Sequence, residues 1–316
     1  MIVLDLFCGC GGMTYGFKKA GFDIIAGIDS WTTAIESYKS NYDHLSICAD
    51  LTKLTPKVFK KKYNIKQKID IIIGGPPCQG FSIAGKRDTA DPRNLLFLEF
   101  HKYLDYYKPK AFVIENVIGL LSMKTKNGNK IIDNIMNLLE INYNCVINKL
   151  YASDLKVPQN RRRIIIVGIN KHLDIIPNKI KPILSKENRI PVKNILDDRN
   201  NIDDKYYLSN KAISGINARK KKNKQTGKGF GAQFLNLDKP SFTISARYWK
   251  DGYDALVKYD DKHIRRLTIT ELKKIQTIPN NYILVGSRKD KIIQIGNSVP
   301  CKFAYYIGKY LIKTLQ

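Results

Sequence analysis

Zinc-type spacing is missing from this chain. Its six cysteines, at 8, 10, 48, 78, 145 and 301, contain no Cys-x-x-Cys pair, and its four histidines form no cluster beside them. That argues against a zinc site. Thiols scattered through 316 residues read as reduced cysteines of a cytosolic compartment. No apolar run approaches the roughly 20 residues of a membrane-spanning helix. The opening MIVLDLF lacks a basic leader and a cleavage site, so it reads as a strand and not as a signal peptide. No internal repeat is visible. Acidic residues are scarce: 28 Asp+Glu face 54 Lys+Arg, a formal net charge of +26. That excess is far beyond what solubility asks and points to a polyanion, most simply nucleic acid. Drift towards Lys, Asn and Ile codons explains part of it, although drift would add acidic residues too. With 43% hydrophobic residues the chain can form a normal core, in one large domain or a domain plus a smaller one.

The first 170 residues alternate strand-like and helix-like segments. Strands are expected at 2–7, 23–28, 69–73, 111–114, 144–151 and 163–169. Helices are expected at 11–20, 32–40, 95–107 and 130–140. This rhythm implies a mostly parallel α/β sheet with helices on both faces. It breaks after about residue 170. Residues 171–230 are rich in Asn, Lys, Pro and Asp, and RKKKNKQTGKGFG (219–231) reads as a flexible, basic, solvated loop. Short β-like pieces follow at 241–249 and 254–259. Helical patterning resumes at 269 and closes the chain at 303–314.

The densest chemistry lies in GGPPCQGFS (74–82). It follows the apolar run IDIII, so Cys78 falls at a strand end, where α/β folds keep their reactive groups. Pro76 and Pro77 stiffen the approach, as a nucleophile that must be aimed requires. A lone cysteine is ordinarily a small buried hydrophobe, but Gly74, Gly75, Gly80 and the two prolines are too special a setting for core. DLFCGCGGMTYGF (5–17) is a strand, a glycine turn and a helix start. Gly9, Gly11 and Gly12 let the backbone approach a ligand, which could be NAD or FAD as readily as another nucleoside. Asp29 ends the next strand and can bind ribose hydroxyls. Asp50 can accept from an adenine amino group, and each of the two could equally be a turn carboxylate. Trp31 is either core or a stacking face. Glu115-Asn116-Val117 ends another strand. Glu115 beside a thiolate is costly unless protonated or engaged with a base edge. QNRRR (159–163) places Arg161 and Arg163 on one strand face, where guanidiniums can lower a thiol pKa or hold phosphate and carbonyl oxygens. Glu115 and these arginines could also be a buried ion-pair network.

Taken together, DLFCGCGG, the acid after the second strand, GGPPCQGFS, ENV, QNRRR, RRLT (265–268) and QIGNSVP (294–300) occur in one order. In this the chain resembles the cytosine-5 DNA methyltransferases of bacteria and their viruses over almost its whole length. The resemblance implies an AdoMet-dependent, Rossmann-like sheet with helices on both faces. It adds a smaller, basic, mainly irregular and β target-recognition domain across a DNA cleft. The expected boundaries are 1–180 with 285–316 for the catalytic domain and 181–284 for the target-recognition domain and hinge. It implies S-adenosyl-L-methionine as cofactor, S-adenosyl-L-homocysteine as product, and no metal.

Carried over by position, Cys78 is the nucleophile towards C6 of a flipped-out cytosine. Glu115 holds its N3 and amino edge, Arg163 its carbonyl side. Arg161 supports the catalytic loop or a phosphate, and Asn116 positions the Pro-Cys backbone. The AdoMet shell comprises Phe7, Gly9, Gly11, Asp29, Ser30, Asp50, Leu51, Pro77 and Leu96, closed by Asn297, Ser298 and Val299. Residues 79–93 correspond to a loop closing over the base, with Ser82 and Arg93 at DNA phosphates. Gln233, Thr243 and Arg247, with Ser245 and Tyr248, are the base-contact candidates by residue type. The chain departs from the family in having Ser30 where an aromatic residue is frequent, with Trp31 next to it. It also has Cys8 and Cys10 where small aliphatics are common; both read as packing residues.

The implied partners are duplex DNA and, as such systems offer, a cognate restriction endonuclease. A monomer in the cytoplasm, at the nucleoid, is expected. RNA-acting relatives carry Cys-Phe-Thr where this chain has Ser241-Phe242-Thr243. An intact Cys78, Glu115, Arg161 and Arg163 set argues against a non-enzymatic relic.

Overall fold

The structure, a computed structural model, describes residues 1–77, 96–125, 128–226, 231–250 and 252–316. Seven strands form one sheet: β1 (Ile2–Leu6), β2 (Asp23–Asp29), β3 (Leu45–Cys48), β4 (Ile71–Gly74), β5 (Ala111–Val117), β6 (Tyr143–Tyr151) and β7 (Arg162–Asn170). Their order is β3-β2-β1-β4-β5-β7-β6. The first five run parallel. β7 is inserted antiparallel between β5 and β6. The order reverses between β1 and β4, so a crevice opens at the carboxyl ends of those two strands.

Apolar side chains alternate across the sheet and are covered on both sides, as β1 shows. Leu4 and Leu6 point to one layer, with Phe59, Phe100, Tyr103 and Ile135; Val3 points to the other, with Phe17, Phe303 and Ile307. The first layer is made by α3 (Pro56–Lys62), α4 (Leu96–Tyr107) and α5 (Ile131–Leu139). The second is made by α1 (Gly12–Ala20) and α9 (Cys301–Leu315). These two helices touch so closely that a Cβ on Gly16 would fall 2.4 Å from Ala304. The C-terminal helix therefore completes the N-terminal half.

A further core joins α2 (Thr32–Lys39) to α7 (Ile269–Ile275) and α8 (Arg288–Asn297) through Tyr38, Tyr42, Ile244, Tyr248, Leu272 and Ile295. A small cluster of Leu208, Ile213, Ile216, Leu256 and Ile264 packs α6 (Asn210–Thr226) on the two-stranded β8 (Val257–Lys258) and β9 (Ile264–Arg265).

Some expectations are corrected. The basic stretch expected as a loop from 219 is helical to Thr226. Lys, Arg and Gln are good helix formers, and Ile213 and Ile216 supply an i, i+3 anchor too short to register as periodicity. The β-like 241–249 forms only a bridge between Gln159 and Ser241, then a 3-10 turn at Ala246–Trp249. There the Ser245 hydroxyl caps the Arg247 amide at 3.2 Å, and the buried Tyr248 hydroxyl donates to the Ala255 carbonyl. Tertiary bonds outweigh the β-propensity of the sequence. Residues 115–117 continue β5 rather than follow it. β3 and α3 were not anticipated, although Thr55-Pro56 is a helix start: the Thr55 side chain accepts from Val58 and proline takes the first turn.

Candidate active site

The chain leaves β1 through a loop with Phe7, Gly9 and Gly11 at φ 58°, 54° and 89°. Such angles suit glycine and strain phenylalanine. The loop is pinned from β2. Cys8 N donates to the Ile28 carbonyl (3.1 Å). Gly9 N donates to Asp29 Oδ2 and Trp31 N to Asp29 Oδ1, both at 2.9 Å. Burial raises the Asp29 carboxyl, against the pull of these amide bonds. A Cβ on Gly9 would meet no protein atom within 4 Å, so this point of the loop faces open space. A Cβ on Gly12 would fall 2.1 Å from Ser298 Oγ and 2.3 Å from the Val299 carbonyl. The segment after α8 is thus pressed against the loop, and Phe7, Gly9, Asp29, Ser298 and Val299 lie in one neighbourhood.

The other cofactor candidates are less central. Gly11 is buried against Tyr38, Tyr42 and Tyr282, and Leu51 is buried in the sheet core. Ser30 and Asn297 are exposed, and Trp31 is half-buried at the start of α2. Asp50 is exposed and closes a turn, its Oδ1 accepting from the Thr52 amide (2.9 Å) and hydroxyl (2.8 Å); those bonds lower its pKa. Pro77 and Leu96 flank residues 78–95, half-buried on either side. Cys78, Ser82, Arg93 and the expected closing loop at 79–93 lie outside the described residues. Cys8 and Cys10 are buried in the core that holds Tyr38, and burial pushes the Cys10 thiol up to about 12.

A second group gathers at the end of β5. Arg163 Nε donates to Glu115 Oε1 at 2.8 Å, both side chains nearly buried. Gly75 faces this pair, since a Cβ there would stand 3.4 Å from Glu115 Oε2. Asn116 Nδ2 donates to the Pro76 carbonyl at 3.1 Å, two residues before Cys78. Asn116 Oδ1 accepts from Val117 N. Arg161 is 2% exposed and donates from Nη1 to the carbonyls of Gly296 (3.1 Å) and Ile244 (3.4 Å). Burial, and then the Arg163 charge, lower it to about 9. Arg161 therefore ties the start of β7 to the end of α8 and to the segment at Ile244. Arg162 is exposed and stacks on Tyr151. Gln233, Thr243 and Arg247 are exposed. The Thr243 hydroxyl donates to the Asn160 carbonyl, and the main-chain N–H of Gln233 to the Tyr253 carbonyl.

Three polar groups were not singled out beforehand. Asp5, near the end of β1, is buried; Thr14 Oγ1 donates to its Oδ2 at 2.6 Å, and its Oδ1 has no partner among the described residues. Burial lifts this carboxyl to about 7. The signal was an acid inside the otherwise apolar IVLDL. Gln159 bridges to Gln276 (3.1 Å), which donates to the Ile295 carbonyl. Arg265 and Glu271 form a fully buried bidentate pair at 2.8 Å. Among the described residues no group of His, Cys, Asp and Glu could hold a metal ion, and no helix is long and apolar enough to cross a membrane.

A seven-stranded sheet with one reversed strand, a glycine loop after β1 and an acid ending β2 define an α/β methyltransferase fold. Comparison with known proteins narrows this. The profile described as C-5 cytosine-specific DNA methylase matches residues 1–313, and the chain belongs to that family. It is 34% identical over 320 residues to the type II methyltransferase M1.ScrFI of Lactococcus lactis subsp. cremoris, covering 99% of this chain and 78% of the relative. It is 34% identical over 317 residues to the type II methyltransferase M.SsoII of Shigella sonnei, covering 99% and 80%. The solved structure of the methyltransferase EhMeth from Entamoeba histolytica superposes with a TM-score of 0.77 at 21% identity, covering 100% of this chain and 99% of that one. That likeness concerns the fold alone. The protein is a DNA cytosine-5 methyltransferase of the type II restriction-modification kind.

Proposed function

We propose that this enzyme methylates C5 of a cytosine flipped out of duplex DNA, through a covalent bond between Cys78 and C6, with S-adenosyl-L-methionine as donor. The observation that carries the reading is the junction at the end of β5. There Glu115, paired to Arg163, and Asn116, bonded to Pro76, come together beside the strand that leads to Cys78.

The loop after β1 suits the cofactor. Gly9 faces open space, and each Asp29 oxygen keeps a lone pair beyond its amide bond for a ribose hydroxyl. Phe7, Ser298 and Val299 would line the same site, with Ser30, Trp31, Asp50, Pro77, Leu96 and Asn297 at its margins. When bound, the cofactor supplies an electrophilic methyl group. The residues of the chain do the rest. The Cys78 thiolate adds to C6, and the electron pair displaced from the C5–C6 bond makes C5 nucleophilic. Glu115 hydrogen-bonds N3 and the amino edge, where charge changes as C6 is attacked, and Arg163 orients Glu115 and faces the cytosine carbonyl. Asn116 and Arg161 act on position: one holds the Pro76 backbone, the other the end of α8. Once C5 carries the methyl group, loss of its proton to solvent returns the electron pair, and the thiolate leaves C6.

The boundaries 1–180 with 285–316, and 181–284, are proposed for the catalytic and target-recognition parts. Ser82 and Arg93 would contact phosphates and Gln233, Thr243 and Arg247 the bases. A cytoplasmic enzyme, monomeric on duplex DNA and paired with a cognate endonuclease, belongs to the same proposal. At Ser241 the chain has no thiol, and that hydroxyl donates to the Phe242 carbonyl, which favours DNA over RNA as substrate.

The test is transfer of labelled methyl from AdoMet to genomic DNA, with single-base mapping of 5-methylcytosine, for wild type and Cys78→Ser. Methylation at one short motif, abolished in the variant, is expected. A folded, cofactor-binding protein that leaves DNA unmodified and methylates tRNA would overturn the reading.

A further inference from the structure

Asp5 heads a buried chain of hydroxyls that the proposed reaction does not use. Thr14 Oγ1 donates to its Oδ2; Thr14 Oγ1 lies 2.9 Å from the Tyr38 hydroxyl, and that hydroxyl 2.7 Å from His44 Nε2. Asp5, Thr14 and Tyr38 are fully buried, and His44 is half-buried at the outer end. A Cβ on Gly27 would fall 2.3 Å from Tyr38 Cζ, so β2 fixes the ring. Asp5 Oδ1 accepts from no group among the described residues, which makes the ionised form costly and responsive to nearby charge.

The chain runs both ways. With Asp5 ionised, Thr14 donates to it, Tyr38 to Thr14 and His44 to Tyr38. With a proton on Asp5 the order reverses, and Tyr38 donates to His44. Burial and then Lys18 lower His44 to about 4, against the pull of Asp43. The ring is therefore neutral above about pH 5, and its Nε2 donates or accepts according to tautomer. A proton can pass along this path between the core and the surface.

The groups facing Asp5 are Cys8 in the glycine loop, Asp29 at the end of β2, and Tyr38 and Tyr42 from α2 and the turn after it. Burial raises Cys8, Tyr38 and Tyr42, as it does Cys10 and Cys301 in the same core, so all five are neutral near pH 7. Asp29 is then the charge that Asp5 feels. Asp29 also pins Gly9, which faces open space and follows Asp5 by four residues, at most about 14 Å. A charge held against that loop reaches Asp5 as the Asp29 charge does.

Resting on the proposed reading of the site, we propose that Asp5 senses the charge of the cofactor. It gives up its proton to solvent through Thr14, Tyr38 and His44 when the sulfonium donor is bound, and takes one back once methyl transfer has left a neutral thioether. An ionised Asp5 attracts the donor and is indifferent to the product, so the preference for donor over product grows with pH. A unit charge about 10 Å away, at an effective dielectric near 20, shifts such an equilibrium about tenfold.

The experiment is calorimetric titration with S-adenosyl-L-methionine and S-adenosyl-L-homocysteine between about pH 5 and 8, in two buffers of different ionisation enthalpy, for wild type, Asp5→Asn and Tyr38→Phe. Comparison with Asp5→Asn cancels the titration of the ligands themselves. Relative to that variant, the donor-to-product affinity ratio of the wild type should rise about tenfold over the range, and donor binding near about pH 6.5 should release about half a proton. Tyr38→Phe keeps the Thr14 bond to Asp5 but cuts the chain, and the rise should move to higher pH because the carboxylate loses the donors behind Thr14. In the wild type alone, an infrared band of a buried carboxylic acid should fade on adding donor and persist on adding product. A flat ratio without proton release, or a band indifferent to the donor, would overturn the proposal. An unmoved rise in Tyr38→Phe would overturn the role of the chain. Binding of neither ligand by folded wild type would overturn the reading of the site, and this proposal with it.

Discussion

Asn116 Nδ2 lies 3.1 Å from the carbonyl oxygen of Pro76, joining two motifs 40 residues apart in the chain. The bond crosses from β5 to the segment leaving β4, strands already paired in parallel. It restrains the backbone just where the Cys78 segment begins. Asn116→Asp keeps the acceptor for Val117 N but turns the donor into an anion facing a carbonyl. We expect kcat for methyl transfer to fall about a hundredfold, the order that one lost positioning bond plus a new repulsion supplies. AdoMet affinity should hold within a few-fold. Single-turnover kinetics with calorimetric cofactor titration check this, and unchanged turnover would remove Asn116 from the mechanism.

Glu115 and Arg163 form a nearly buried pair, so truncating one member strands the other. Arg163→Met should lower thermal stability as well as activity. Glu115→Gln keeps an acceptor for Arg163 Nε and should fold nearly as the wild type does. Its kcat should nevertheless drop by two orders of magnitude or more, because the amide cannot answer the changing charge at N3. Melting curves beside methylation assays separate the two outcomes.

Gly9 in the loop and Gly12 at the start of α1 should fail differently. Gly12→Ala drives a methyl group into Ser298 and the Val299 carbonyl, and overpacking of this kind costs about 1–3 kcal/mol. Stability and cofactor binding should fall together. Gly9→Ala meets no protein atom; it bears only the strain of a positive φ, about 1 kcal/mol, and projects into the proposed cofactor space. Its melting temperature should barely move while AdoMet affinity drops at least tenfold, read by calorimetry.

Asp5 imposes a pH dependence. Its carboxyl titrates near 7 in the fold, mainly through burial, against about 4 when unfolded. The folded state therefore holds the extra proton between those values. The contribution to stability is fully present below about pH 4 and is lost as pH rises through 7. Asp5→Asn still accepts from Thr14 and cannot ionise. Between pH 5 and 8 the wild type should lose stability relative to this variant, by an amount on the order of a few kcal/mol. Parallel denaturation profiles would contradict the burial-driven shift.

All strands of the sheet but β3 were legible because they are apolar runs closed by glycine, acid or proline, as IDIIIGG and AFVIEN show. Glu115, Asn116 and Arg163 were legible as strand-end polar residues, and the structure brings them within hydrogen-bond reach. What escaped depends on partners remote in sequence. Arg161 was read as support for the catalytic loop or a phosphate; the sequence held no sign that its partners would be the Gly296 and Ile244 carbonyls. The β-patterned 241–249 turned into a 3-10 segment because Gly296 lets α8 touch its backbone, with a Cβ there falling 2.4 Å from Ala246 N. The basic α6 escaped because its apolar anchors are two residues wide.

Helix α9 has an effect on synthesis as well as on packing. The ribosome releases α1 almost 300 residues before the partner that lies against Gly16, Phe17 and Ala20. Until α9 emerges, that flank of the nascent sheet is covered by α1 alone and is a natural place for a chaperone to bind. Methylating activity should therefore not appear until α9 has been made and has docked. An enzyme built this way sets a fixed minimum delay between the synthesis of its glycine loop and its first turnover.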